Sequence, residues 1–286
     1  MRYERPETIE DATALLAGAG ANSFVLAGGT DLLVRMQSDA FEADLIVDIK
    51  LIAGMDAVDQ TADGFVIGAA VPAAALSENA ALVAAWPGVV EAANLIGSTQ
   101  IQGRCTVVGN LCNASPAADS VPALVAADAR VRVAGPSSTR EVAIIDIPTG
   151  PGKTSLEKGE IIEAVLLPKR APMSGDAYLR FIPRTEMDIA VVGVGVNLTL
   201  DDGGVVTSAR VALGAVGPTV VLVSAAADAV IGTKLEDAAL DALAEACSAA
   251  SNPIDDKRGT IAFRKQVAGV LARRAAETAY TRAGGK

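Results

Sequence analysis

Histidine is absent from this 286-residue chain. That removes Ser-His-Asp triads, imidazole proton shuttles and most zinc sites from consideration. Cysteine is nearly absent: Cys105, Cys112 and Cys247 are the only three. They lack the closely spaced thiolates that an iron–sulfur or zinc cluster requires. Three cannot build a secreted disulfide framework, so small buried thiols in a reducing compartment are expected. Positive charge is also short. Lys and Arg total 24 against 34 Asp and Glu, a formal net charge of −10. Such a chain offers no basic stripe to a nucleic acid and is repelled by an anionic membrane surface. No apolar run approaches the roughly 20 residues that cross a bilayer, so no membrane insertion is expected. The opening Met1-Arg2-Tyr3-Glu4-Arg5-Pro6 lacks the apolar core of a signal peptide, and a cytoplasmic location is expected. Any redox centre must be an organic cofactor held without metal ligands; no catalytic and no metal-ligating residue is assigned.

What is present organises the chain into two domains, the better expectation at this length. The first fifty residues read as strand–helix–strand–helix–strand. Thr8 or Asp11 begins a helix closed by Gly18 and Gly20. Phe24-Val25-Leu26 is an apolar run that stops at Gly28-Gly29, Asp31 to Gln37 is helical, and Leu45 to Ile49 is the next strand. This is a small parallel unit with a glycine turn after its middle strand. From Phe65 to Leu167 the pattern gives helices at 73–85 and 88–97 and strands at 106–108, 130–134, 140–145 and 161–167. Pro168 to Gly175 reads as a linker. Beyond it, strand-like runs flank Asp201-Asp202-Gly203-Gly204, a hairpin signal. Helices follow at about 219–231, 235–250 and 259–280. The fold class is α+β: a domain over 1–172, subdivided near 55, then one over 173–286 with a three-stranded antiparallel sheet and a helical bundle.

Two segments carry chemistry. In Ala27-Gly28-Gly29-Thr30-Asp31-Leu32, a glycine pair between strand and helix lets backbone N–H groups approach a pyrophosphate. Thr30 adds a hydroxyl, and Asp31, which would repel phosphate, reads as a helix cap. In Thr106-Val107-Val108-Gly109-Asn110-Leu111-Cys112-Asn113-Ala114-Ser115-Pro116-Ala117-Ala118-Asp119, polar residues alternate with small ones. Small residues leave room for a bulky ligand; Asn110, Asn113 and Ser115 offer donors, and Asp119 accepts from ribose hydroxyls or an adenine amine. The usual dinucleotide fingerprint is missing: Gly193-Val194-Gly195 is followed by Leu198 where the third glycine would stand, and no Gly-Lys-Ser/Thr completes a phosphate loop of the Walker type.

Together these segments resemble the FAD-binding medium subunits of the molybdenum hydroxylase family, of the xanthine dehydrogenase and aerobic carbon monoxide dehydrogenase type. The resemblance continues through Arg184-Thr185-Glu186-Met187-Asp188-Ile189-Ala190-Val191 and through Asp255 to Thr260 with Phe263-Arg264, so it covers effectively the whole chain. It implies a two-part FAD-binding domain of the vanillyl-alcohol-oxidase/PCMH type and noncovalent FAD. Ala27, Gly28, Gly29, Thr30, Asp31 and Leu32 would wrap the pyrophosphate, Thr106, Gly109 and Asn110 would meet it from the other side, and Ser115 belongs to the same second segment. Asp119 would hold the adenosine end, and Leu166 would border the flavin ring. Ile96 stands where the xanthine enzymes carry a flavin-stacking phenylalanine, and a core role is expected for it. Val108 replaces a glycine common in the family. Tyr178, Arg180 and Arg184 fall near the domain junction, with packing or ion-pair roles expected and Glu186 and Asp188 as partners.

The implied function is electron transfer. A molybdenum-cofactor large subunit and an iron–sulfur small subunit would deliver electrons to FAD, which hands them to NAD, oxygen or a quinone. The rival readings are a stand-alone flavin reductase or oxidase of the same fold, for which only Ser115 and Glu186 offer proton donors, and a non-enzymatic scaffold subunit.

Overall fold

The computed structural model describes residues 1–285. The first unit runs β1 (Arg2–Glu4), α1 (Ile9–Gly18), β2 (Ser23–Leu26), α2 (Leu32–Gln37) and β3 (Leu45–Asp48). Thr8 starts α1, its side-chain oxygen accepting the Asp11 amide at 3.1 Å. The strands lie in the order β1-β3-β2, all parallel, with β3 in the centre and buried along its whole length. A strand covered on both faces needs a continuous apolar run, and Leu45-Ile46-Val47 supplies it. Leu26 pairs with Asp48, so the glycine turn opens at the carboxyl edge of this sheet. The expected parallel unit is present.

The second unit contains β4 (Val58–Thr61), β5 (Gly64–Gly68), α3 (Ala73–Glu78), α4 (Ala80–Ala85), α5 (Pro87–Ala93), α6 (Thr99–Gln102), α7 (Val107–Cys112) and α8 (Ser120–Ala126). It continues with β6 (Arg130–Ala134), β7 (Thr139–Ala143), β8 (Pro148–Gly150), β9 (Lys153–Thr154) and β10 (Ile161–Pro168). The main sheet has the antiparallel order β4-β5-β10-β6-β7, so the last strand of the unit enters its middle. Three local expectations change. The helical pattern at 73–85 breaks at Asn79, whose side-chain carbonyl oxygen accepts the Leu82 amide and starts a new helix. The strand expected at 106–108 is the first turn of α7. Val107 and Val108 favour a strand, but the Thr106 hydroxyl oxygen accepts the Gly109 amide at 2.8 Å and caps a helix. The strand expected at 140–145 ends at Ala143, where a 3-10 turn over Ile144–Asp146 begins.

The remaining elements are β11 (Ser174–Phe181), β12 (Val192–Leu200), β13 (Val206–Gly214), β14 (Val221–Leu222), α9 (Ser224–Val230), α10 (Asp237–Ala250) and α11 (Ile261–Arg282). The sheet is antiparallel in the order β11-β12-β13-β14. The three expected strands are there, with a two-residue fourth at the edge. Pairing of Val221 and Leu222 with β13 delays the helix expected from 219 until Ser224. The acidic-glycine turn joins β12 to β13. The Asp201 carboxylate accepts the Gly203 and Val205 amides at 2.8 and 2.9 Å, and Gly204 takes a φ of +78°. Alanine-rich α10 and α11 pack closely; a Cβ on Gly269 would meet the Ala244 carbonyl oxygen at 2.8 Å.

Arg170 ties the segment between β10 and β11 to both sides. Its guanidinium donates to the Ala85 carbonyl at 2.7 Å, the Asp176 carboxylate at 2.8 Å and the Ser174 carbonyl at 3.1 Å, and lies 4.4 Å from the Trp86 ring centroid. Among the described residues no helix is long and apolar enough to cross a membrane.

Candidate FAD-binding cleft

A cleft of about 380 Å³ lies between the first and second units, within the range typical of cofactor pockets. One wall is β2 and the glycine turn; the other is α7 and the start of β10, with Ile96 and Cys105 beside it. The two loops meet because Gly28 has no side chain. A Cβ there would stand 1.9 Å from the Arg104 carbonyl oxygen and 3.1 Å from the Cys105 Cα. Gly29 is in the left-handed region at φ +78°, so the chain turns sharply from strand into helix.

Of the three charged side chains lining the cleft, one is ion-paired within the protein. The Asp31 carboxylate does not cap α2; it accepts a 3.4 Å hydrogen bond from the Asn113 side-chain amide, which ties the two loops together. Glu160 is clamped by Arg140 through two 2.8 Å bonds, and that hydrogen bonding, against the opposing effect of burial, holds its carboxyl below the usual range. Among the described residues lining the cleft, Arg35 is the one cation. It follows Asp31 by one helical turn, and its guanidinium lies 5.1 Å from the Phe41 ring.

The donors suit an anion. The backbone amides of Gly28, Gly29, Thr30 and Asp31 meet no acceptor among the described residues, and Val107 and Val108 supply the first-turn amides of α7. With small residues at 28, 29 and 109, the backbone itself can approach a ligand. This donor set and the glycine-made contact fit a pyrophosphate-bearing cofactor. Burial pushes the Cys105 thiol up to about 11 and the Cys112 thiol up to about 12, leaving both protonated at neutral pH.

Of the residues expected at the site, Ala27, Gly28, Gly29, Thr30, Asp31, Leu32, Thr106, Gly109 and Asn110 line this cleft together. Ser115, Asp119 and Leu166 do not. Ser115 is exposed and its hydroxyl oxygen accepts the Ala117 amide, a local turn. Leu166 is further along β10 than Ile161 and Ile162, the residues of that strand that line the cleft. Asp119 is buried and held by the C-terminal sheet: Arg180 donates to it at 2.8 Å and the Tyr178 hydroxyl at 3.3 Å. Burial pushes its carboxyl up to about 6, with Arg180 opposing the shift. That carboxylate is thus engaged by the C-terminal sheet, with one hydrogen bond to each of its oxygens. Tyr178 is buried, as the packing expectation required, and Arg184 pairs with Asp188 at 3.1 Å. Ile96 belongs to the core and lines the cleft at once.

Sequence reasoning missed Phe24, Arg35, Thr154, Leu156, Ile161 and Ile162. The i,i+4 spacing from Asp31 could have placed Arg35 on the cleft side of its helix. Nothing local could have found the other wall, which long-range strand pairing brings in.

Comparison with known proteins agrees with this geometry. The family profile "FAD binding domain in molybdopterin dehydrogenase" matches residues 1–170, and "CO dehydrogenase flavoprotein C-terminal domain" matches residues 177–279. The chain belongs to the FAD-binding flavoprotein family of the molybdopterin dehydrogenases. It is 34% identical over 284 residues to the carbon monoxide dehydrogenase medium chain of Afipia carboxidovorans, spanning 98% of this chain and 97% of that one. It is 31% identical to the xanthine dehydrogenase FAD-binding subunit of Escherichia coli O157:H7, over 99% of this chain and 97% of the relative. The solved structure of reconstituted CO dehydrogenase from Oligotropha carboxidovorans superposes with a TM-score of 0.93 at 32% identity, covering 98% of this chain and 97% of that one.

Proposed function

We propose that this chain holds FAD noncovalently in the cleft and relays electrons as the flavoprotein subunit of a molybdenum hydroxylase. The pyrophosphate would lie between the Ala27–Leu32 turn and the Thr106–Asn110 turn. The observation that carries this reading is the contact of Gly28 with the Arg104–Cys105 backbone, which puts two sets of open amides on one cleft. Bound FAD supplies the redox chemistry, taking up and passing on one or two electrons. The chain's own residues bind and orient it: amides hold the anion, Arg35 adds a cation, and Ile96, Ile161 and Ile162 exclude water. None needs to act as nucleophile or general base.

The partners in this reading are a molybdenum-cofactor subunit and an iron–sulfur subunit, with NAD, oxygen or a quinone as final acceptor. The chain divides near residue 172 into the FAD-binding part and a C-terminal part. Three unpaired thiols suit the cytoplasm. The test is absorbance of the purified chain loaded with FAD and mixed with N-heterocycles, aldehydes or carbon monoxide. The flavin should stay oxidised until the partner subunits are added. Bleaching by any of these alone would favour a stand-alone flavoenzyme; failure to bind FAD would favour a scaffold.

A further inference from the structure

A charged group outside the cleft is hydrogen-bonded to the start of the glycine turn. Asp48 ends β3, the central strand of the parallel sheet, and is 3% exposed. Its carboxylate collects donors from the flanking segments: the Tyr3 hydroxyl from β1 at 2.5 Å, the Lys50 ammonium at 2.7 Å and the Lys50 amide at 3.1 Å, with Arg5 at 3.9 Å. Burial pushes this carboxyl up, but the hydrogen bonds from Lys50 and Tyr3 outweigh it and hold the group ionised. The ammonium it anchors reaches across to β2 and donates to the Ala27 carbonyl at 3.0 Å. That carbonyl shares a peptide plane with the Gly28 amide. In a trans peptide the C=O and the N–H point in opposite directions, and the described residues contain no cis bond. Gripping the oxygen of Ala27 therefore aims the Gly28 N–H away from Lys50.

We propose that Lys50, anchored on Asp48, is a positioning residue for the pyrophosphate turn, fixing the Ala27–Gly28 peptide so that its N–H is presented to the anion. This rests on FAD binding in the cleft. Lys50 would not touch the cofactor; it acts through the carbonyl. Without it the peptide is free to rotate, because the glycines on its far side offer little steric resistance. A rotated peptide would turn a carbonyl oxygen towards the phosphates in place of a donor.

The experiment uses the full chain and three readouts: FAD affinity from flavin fluorescence, ³¹P NMR of bound FAD, and the melting midpoint of the cofactor-free protein. A wild-type chain that binds no FAD would refute the cleft assignment itself, an outcome distinct from any seen in the variants alone. Lys50→Met should weaken FAD binding by about tenfold, as losing a charge-assisted hydrogen bond implies, and should move the pyrophosphate ³¹P resonances. Its cofactor-free melting midpoint should fall as well, because buried Asp48 loses its nearest cation. The ³¹P resonances are therefore the readout that separates positioning from stability, and Lys50→Arg should restore affinity, resonance positions and midpoint together. Tyr3→Phe, which keeps Lys50 and loosens only its anchor, should shift the same resonances by less and serves if Lys50→Met does not fold. Unchanged affinity in Lys50→Met overturns the proposal. So does lost affinity with unmoved ³¹P resonances, the mark of a merely structural role, and so does an unmoved resonance in Tyr3→Phe should that be the only variant that folds.

Discussion

A Cβ on Gly28 would stand 1.9 Å from the carbonyl oxygen of Arg104. The two loops that line the cleft therefore touch through backbone, and any side chain at 28 must separate them. Gly28→Ala is expected to cost more than about 2 kcal/mol, the scale of a misfit in a packed interior, and to abolish FAD binding. Gly103 lies in the same segment as Arg104 with open space around its Cβ position and an ordinary αR backbone, so Gly103→Ala should leave both properties unchanged. Urea unfolding and flavin titration of the two variants check this; equal behaviour would show that the contact does not matter.

Asp119 and Arg180 give the junction a pH dependence. Burial pushes the Asp119 carboxyl up to about 6 against an ordinary value of 3.8. Between those values the folded state binds more protons than the unfolded one. Stability through this group is therefore greatest below pH 4 and is lost as pH rises through 6, with a slope of at most about 1.4 kcal/mol per pH unit. Asp119→Asn should flatten that part of the profile between pH 4 and 6. Arg180→Met should cost about 3–5 kcal/mol at pH 8, because it strands a buried carboxylate. Parallel wild-type and Asp119→Asn profiles would disprove the assignment.

Cys105 and Cys112 border the cleft as protonated thiols, raised to about 11 and about 12 by burial. A thiol in that state is a poor nucleophile towards a flavin ring. Acid precipitation of the FAD-loaded chain should leave all the yellow colour in the supernatant, and colour in the pellet would mean a covalent link.

Arg170 stacks on Trp86, the single tryptophan of the chain, and pairs with buried Asp176. Arg170→Met removes one partner of a buried pair and should destabilise the chain by about 3–5 kcal/mol. Because the indole also donates to the Pro168 carbonyl at 3.2 Å, its fluorescence emission should move to longer wavelength as the junction loosens. An unshifted emission spectrum would show that Arg170 does not hold the linker against the second unit.

Much of this protein was determined by signals a few residues long. The helix at Thr8, the glycine turn at Gly28-Gly29 and the hairpin at Asp201–Gly204 are each decided by local hydrogen bonds or backbone conformation, so the sequence alone reveals them. The pairing of Leu26 with Asp48 follows from the same parallel unit. Tertiary structure decided the rest, for reasons local chemistry cannot carry. One exception is local: Thr106 caps a helix where two valines suggested a strand, because a side-chain oxygen three residues from the Gly109 amide outweighs a weak propensity. Asp119, a ribose acceptor by its own segment, also pairs with Arg180, a partner 61 residues away that burial makes obligatory. Ile161 and Ile162 reach the cleft because β10 inserts between β5 and β6, a pairing set by which faces can be buried together.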